Sequence, residues 1–271
     1  LRHQRPNVLL TIATWVLVII FIFPVFWTIL NGFKSEFDAT ANPPKFLFSP
    51  DLAGYELVAQ RGMLAYLWNS VVASIGSTVV VMLLSIPAAY ALSVREIKQS
   101  QNTLFFLIST RFLPVAAGIL PLYLILKNLG FLDNVWALAI IYAAINIPLA
   151  IWMLRSFFME IPKEVTEAAR IDGAGIIREL VRIVVPITIP GIVAAALICF
   201  IFAWNEYFIA TLVTGATAKT TPPFLASFVD GRGFFLAVLS SAATLAALPV
   251  VVVGWLAQKH LVRGLSLGAI K

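Results

Sequence analysis

Charge is scarce in this chain. Of its 271 residues only 12% are Asp, Glu, Lys or Arg, whereas 61% are hydrophobic, with a mean hydropathy of +0.95. An ordinary soluble domain does not have that balance. Cysteine is nearly missing too: Cys199 stands alone inside an apolar run, which excludes an intrachain disulfide and any CxxC metal or redox site. Histidine occurs only as His3 and His260, both in expected terminal segments, and no HExxH is present, so metal or triad chemistry has little to stand on. Nor is there a GxxxxGK[ST] from which a P-loop could cradle ATP.

Uninterrupted apolar runs are plentiful instead. Crossing about 30 Å of hydrocarbon takes roughly 20 helical residues, and six runs qualify: 8–30, 68–93, 103–126, 135–158, 187–213 and 236–257. Backbone groups in lipid must be satisfied internally, and no ten-residue alternation points to a barrel, so helices are expected throughout. The fold class is therefore an all-α membrane protein of six transmembrane helices in a single domain, 1–271. The first run follows Arg2 and Arg5 like a signal peptide. It is too long for an h-region and has no small-x-small site before Asn31, so it reads as a retained span. Each run carries proline (Pro24, Pro87, Pro114 with Pro121, Pro148, Pro190, Pro249), which predicts kinks. Small residues four apart, Ala73/Ser77, Ser85/Ala89 and Ala242/Ala246, predict close helix contacts.

Six spans place both termini on one side. Twelve of the 19 Lys and Arg fall on that side, six on the other, and Arg111 lies within a span. The positive-inside rule makes the first side cytoplasmic and accounts for the net charge of +6 without a nucleic-acid partner. Trp27, Trp68 and Trp136 fall at expected outer interfaces, as aromatic belts do.

One segment breaks the apolar pattern. Between the fourth and fifth runs, the loop 159–186 contains EAARIDGAGIIRELVRIVVP from Glu167 to Pro186. Pro162 suits the first turn of a helix, Glu164 and Glu167 its positive end, and Gly173 its stop. Val165, Ala168, Ala169 and Asp172 would share one face, on which two alanines let another protein pack closely. The segment 176–185 is again amphipathic, with Arg178, Glu179 and Arg182 set against Ile177, Leu180, Val181 and Val184, and is expected along the membrane surface. The alternative is a merely solvated connector.

The trio Glu167-Ala168-Ala169, then Asp172-Gly173-Ala174, then Pro186 resembles the EAA loop of the inner-membrane permeases of binding-protein-dependent ABC importers. The DGA is similar to their sugar branch, the maltose-transporter type. So are Ala203-Trp204-Asn205-Glu206, Leu261-Val262-Arg263-Gly264-Leu265 and Gly268-Ala269-Ile270-Lys271. The resemblance implies the type I importer permease fold in a bacterial inner membrane. It implies four kinds of partner: a dimer of ATP-binding cassette ATPases, a second homologous permease, an extracytoplasmic solute-binding protein and the lipid bilayer. Glu164, Glu167, Ala168, Ala169, Asp172, Gly173 and Ala174 would couple to the ATPase. Gly268, Ala269 and Lys271 would reach toward it as a C-terminal tail. The loop with Pro222, Pro223, Asp230, Gly231 and Arg232 would meet the binding protein. ATP and Mg would sit on the ATPase, with no cofactor on this chain, which would itself be no enzyme.

Polar residues within spans are the candidates for a translocation pathway: Asn205, Glu206, Arg111, Asn146 and Tyr123. Counting along the helices offsets Arg111 and Glu206 by roughly 16 Å, which argues against direct pairing. The stretches from Ser109 to Pro114 and from Ser227 to Ala246 resemble polyol permeases of the mannitol/sorbitol kind, which implies a polyol or monosaccharide; a disaccharide is the alternative. Two rival classes are a secondary transporter in which Glu206 carries a coupling proton, and a membrane-embedded enzyme. The absence of a visible inverted repeat and the EAA island weigh against the first.

Overall fold

A computed structural model of the chain describes residues 8–95, 97–113, 115–230 and 233–268. In order the helices are α1 (Val8–Asn31), α2 (Glu36–Ala39), α3 (Ala53–Gln60), α4 (Met63–Ser93), α5 (Ser100–Thr110), α6 (Val115–Asn128) and α7 (Val135–Met159). Then come α8 (Lys163–Ile171), α9 (Ile176–Glu179), a π-helical turn (Leu180–Val184), α10 (Val185–Ile187), α11 (Ile189–Trp204), α12 (Phe208–Val213), α13 (Thr221–Ala226) and α14 (Leu236–Gly268). A two-residue antiparallel ladder, β1 (Val229–Asp230) with β2 (Gly233–Phe234), is the exception to the helical pattern among the described residues.

Helices α1, α4, α7 and α14 are each long and apolar enough to cross a bilayer. Two of the expected spans are not single straight helices. The run 103–126 is divided into α5 and α6, with Arg111 in the break. Proline at 114 disfavours helical backbone at Leu113 and supplies no amide donor to the preceding turn. The run 187–213 begins at Ile189 and ends at Trp204, and the segment Ile176–Ile187 meets it at 82°. Proline at 190 removes the hydrogen bond that the Pro186 carbonyl would receive, and the chain turns at Thr188, whose hydroxyl donates to the Val184 carbonyl at 2.7 Å.

The chain divides into two compact units. One comprises residues 1–64 and 224–248. Here α1 exposes its side chains on all faces and buries only Asn31, as a helix solvated by hydrocarbon does. Beyond it, Lys34 is 1% exposed, donates to the Asn31 amide oxygen at 2.8 Å and lies 4.1 Å from the Trp27 ring centroid. Burial pulls its pKa down, with the Asp38 charge opposing. The Glu36 carboxylate accepts from the backbone N–H groups of Leu236 and Ala237, satisfying orphan donors and complementing the dipole at the start of α14. Glycine at 54 is required by packing: a Cβ there would come within 2.5 Å of the Ser241 hydroxyl.

The other unit comprises 65–223 and 249–271, with α7 at its centre. One face of α7 (Ile151, Leu154, Phe158) packs with Ala89 and Tyr90 of α4, Val184 and Ala195. Further along, Leu138 and Tyr142 pack with Ala73, Ala203, Ile209, Ala210 and Val213. The small-residue pairs behave as expected: Ala73, Ser77, Ser85, Ala89, Ala242 and Ala246 are all buried.

Candidate coupling and translocation sites

Helix α8 is the charged island. Pro162 precedes it as the N-cap, with Glu164 in the first turn. Its end is a Schellman motif: the Gly173 N–H donates to the Arg170 carbonyl (3.1 Å) and the Ala174 N–H to Ala169 (2.9 Å), with Gly173 at φ +79°. An L side chain is strained in that conformation, which is why glycine stands there. Glu164, Val165, Glu167, Ala168, Ile171, Asp172 and Gly173 are exposed, and Ala174 is half-buried. Ala169, expected on the open face, is buried instead. It sits one turn from Thr166, also buried, so the two form the inner face of α8 and leave Ala168 as the small residue outside. Ile171 is 86% exposed and Ile177 78%, so the elbow carries apolar surface into its surroundings.

Glu179 departs most from the expected pattern. It reads as part of a polar face with Arg178 and Arg182, yet it is fully buried. Arg170 of α8 grips both carboxylate oxygens, Nε to Oε2 and Nη2 to Oε1, each at 3.1 Å. Arg95, just beyond α4, donates from Nη2 to Oε2 at 3.0 Å and from Nε to the Tyr90 hydroxyl at 3.0 Å. Burial alone would push the Glu179 carboxyl up. The Arg170 guanidinium, the Tyr90 hydroxyl and the charge of Arg95 outweigh it and hold the group below its usual range. The same contact raises Arg170. Arg155 of α7 adds a bond to the Leu92 carbonyl at 3.3 Å, so the end of α4 is held by three arginines.

Four of the five pathway candidates meet. Arg111, Asn146, Asn205 and Glu206 line one cavity of about 400 Å³ with Tyr142, Phe202 and Tyr207; Tyr123 does not line it. Arg111 donates from Nη1 to the Ile145 carbonyl (2.7 Å) and the Asn146 amide oxygen (3.1 Å), with its guanidinium 5.0 Å from the Phe202 ring centroid. Glu206 accepts from the Ile209 N–H at 3.0 Å and caps α12. Arg111 and Glu206 thus line one cavity while each is hydrogen-bonded to other groups. Arg111 also borders a larger, mostly apolar cavity of about 1240 Å³ between α6 and α7.

At the opposite end of α4 the chain is tied again. Asn69 donates from Nδ2 to the carbonyls of Thr217 (2.7 Å) and Lys219 (3.0 Å). The Ser70 hydroxyl accepts from the Thr221 N–H (2.8 Å) and donates to the Thr221 hydroxyl (2.9 Å). Asp133 takes the N–H groups of Gly215, Ala216, Thr217 and Ala218 and the Thr217 hydroxyl. Burial raises its pKa, but the bonds from Ala218, Thr217 and Gly215 prevail and hold it well below the usual carboxylate range. Pro222 and Pro223 lie in α13, which follows at once, and Asp230 lies in β1. Gly231, Arg232, Ala269 and Lys271 fall outside the described residues, and Gly268 is the last residue of α14. The residues Gly264 to Gly268 spell GxSxG, but they lie within α14 and not on the strand-to-helix turn a nucleophile elbow requires.

Several bilayer-length helices, a charged elbow clasped to one of them and a polar cavity among apolar helices define a multi-pass membrane transport subunit. The family model described as binding-protein-dependent transport system inner membrane component matches residues 62–267, and the chain belongs to that family. A probable ABC transporter permease protein of Sinorhizobium fredii is 37% identical over 98% of this chain and 96% of its own length. The trehalose/maltose transport system permease protein MalG of Thermococcus litoralis is 33% identical over 98% and 97%. The sulfoquinovosyl glycerol transport system permease protein SmoH of Agrobacterium fabrum is 31% identical over 96% and 92%. A crystal structure of a bacterial ABC transporter involved in the import of the acidic polysaccharide alginate contains a chain that superimposes with a TM-score of 0.73 at 25% identity, covering 96% of this chain and 99% of that one. The chain is an ABC importer permease, a transport subunit and not itself an enzyme.

Proposed function

We propose that the chain passes a sugar or polyol, delivered by a solute-binding protein, through the inner membrane, and that α8 is the coupling helix through which a separate ATPase drives it. The observation that carries this reading is the form of α8. It is a short helix with Glu164, Glu167, Ala168, Asp172 and Ile171 facing outward, stopped by Gly173 and clasped to the spans through Arg170. A merely solvated connector needs neither an exposed apolar rim nor a buried anchor.

In this reading α5 and α6 are two parts of one crossing, α11 and α12 of another, and both termini lie in the cytoplasm. ATP and Mg are bound by the ATPase, whose docking cleft receives Glu167 and Ala168. A second permease completes the pathway, the C-terminal residues 268–271 extend toward the ATPase, and the loop around Pro222, Pro223 and Asp230 meets the binding protein. Arg111, Asn146, Asn205 and Glu206 offer hydrogen bonds to a hydroxylated solute in the polar cavity. The similarity to MalG, a trehalose/maltose permease, and to SmoH, a sulfoquinovosyl glycerol permease, supports a carbohydrate-like cargo.

The test is uptake by the complete importer in proteoliposomes. Gly173→Pro and Glu167→Lys should abolish ATP-driven uptake while the protein remains in the membrane. Undiminished uptake by both variants refutes the coupling role. Collapse of the proton gradient should leave uptake intact; its loss would return Glu206 to consideration as a proton carrier.

A further inference from the structure

We infer that α4 is a transmission rod between the two docking surfaces, with Glu179 at one end and Asn69 and Ser70 at the other as positioning residues. The inference rests on α8 being the coupling helix.

Two routes lead from α8 into the spans. The covalent route runs through a π-helical turn and then an 82° bend at Thr188 before reaching α11. A π-turn and a sharp bend give way under load, and both mark places where a helix is already interrupted. The second route is short and stiff. It passes from Arg170 through the buried Glu179 carboxylate to Arg95 and Tyr90 at the end of α4. Charge-assisted bonds onto a fully buried carboxylate, bidentate from Arg170, fix orientation as well as distance. A displacement of α8 is therefore delivered to α4.

Helix α4 carries it onward. It stays helical from Met63 to Ser93, through Pro87 in its last two turns, so that proline does not break it, and the 20 rises from Ser70 to Tyr90 span roughly 30 Å at 1.5 Å per residue. At the far end Asn69 and Ser70 hold the backbone of Thr217, Lys219 and Thr221 by three hydrogen bonds and the Thr221 hydroxyl by a fourth, all of 3.0 Å or less. That is the segment leading into Pro222 and Pro223. One helix thus grips the coupling elbow and the proposed binding-protein loop at once. Linkage then requires the effect to be reciprocal: binding protein on the loop biases the ATPase, and nucleotide on the ATPase biases the loop.

The experiment uses the full importer in lipid nanodiscs and reads how far the solute-loaded binding protein stimulates ATP hydrolysis. Asn69→Ala and Glu179→Gln are each expected to lower that stimulation about three- to tenfold, with complex yield and unstimulated hydrolysis unchanged. The double variant should lose no more than the stronger single one, because both cut the same rod. Sites so far apart add their effects when independent, so additive losses, or no loss in either single variant, overturn the inference. Fallen yield for Glu179→Gln is met by a second variant pair, Ser70→Ala with Arg95→Lys, read in the same cycle. Should Gly173→Pro and Glu167→Lys leave stimulation untouched, the coupling reading itself fails. Should they abolish it while the cycle is additive, only the rod fails.

Discussion

Replacing Asp133 by asparagine removes a charge and one of two accepting oxygens from a crowded site. Oδ1 takes the amides of Gly215 and Ala218, each at 2.8 Å, and Oδ2 takes Ala216 at 3.1 Å, Thr217 at 3.0 Å and the Thr217 hydroxyl at 2.8 Å. The asparagine amide oxygen can keep one of these sets. Its NH2 then points a donor at the donors of the other set. A hydrogen bond to a charged group contributes about 1.5–3 kcal/mol, and the half-exposed site argues for the low end. Losing two such bonds makes local opening easier by about 3 kcal/mol, or about a hundredfold. Amide hydrogen exchange of residues 215–218 in nanodiscs reads that opening directly. Acceleration by about two orders of magnitude is expected; a change smaller than about threefold would refute the view that the carboxylate holds this segment.

The pH dependence of the same segment follows from the sign of the shift. A carboxyl with a depressed folded pKa contributes stability that is complete above its unfolded value, about 3.9, and is lost as pH falls through the folded value. Intrinsically corrected protection at 215–218 should therefore be flat from neutrality to about pH 4 and decline only below it. Gly191→Ala should lower the unfolding temperature in detergent, because the new methyl would overlap the Phe157 ring; overpacking costs about 1–3 kcal/mol. Gly173→Ala should destabilise the α8 elbow by about 1–2 kcal/mol and slow uptake, whereas Gly175→Ala, at φ −71° and with open space around it, should not. Comparing uptake of the two glycine variants checks this.

Much of the fold could be read from hydropathy, because a bilayer-length helix advertises itself by composition alone. α1 spans Val8–Asn31 where 8–30 was expected, and α7 spans Val135–Met159 where 135–158 was expected. The breaks were harder to see. Apolar residues continue across Leu113 and Thr188, and only the prolines at 114 and 190 hint that the helix stops. The elbow was legible because its signals are local: a proline, a first-turn glutamate and a glycine three residues after Arg170. Glu179 was not. Its partner Arg95 is 84 residues away, and on a helical wheel it sits among solvated arginines. Asp133 was equally hidden, since its donors are backbone N–H groups that any sequence possesses. Ala169 shows the same limit in small: i, i+4 spacing groups residues on a face but does not say which side of the face the chain itself covers.

The arrangement of two arginines around Glu179 also restricts how this sequence can drift. Removing the glutamate first leaves Arg95 and Arg170 converging on one another with nothing between them, and removing Arg170 first strips the carboxylate of its bidentate partner. Arg95 is different: its loss leaves the Glu179–Arg170 bonds whole but cuts their link to Tyr90 of α4. A lineage departing from this clasp therefore keeps a folded elbow only if the glutamate and Arg170 change close together, and keeps a connected one only while position 95 retains a donor. Among relatives, a changed residue at 179 should be found with a changed residue at 170, and wherever 179 stays glutamate, position 95 should keep a side chain that can donate to it.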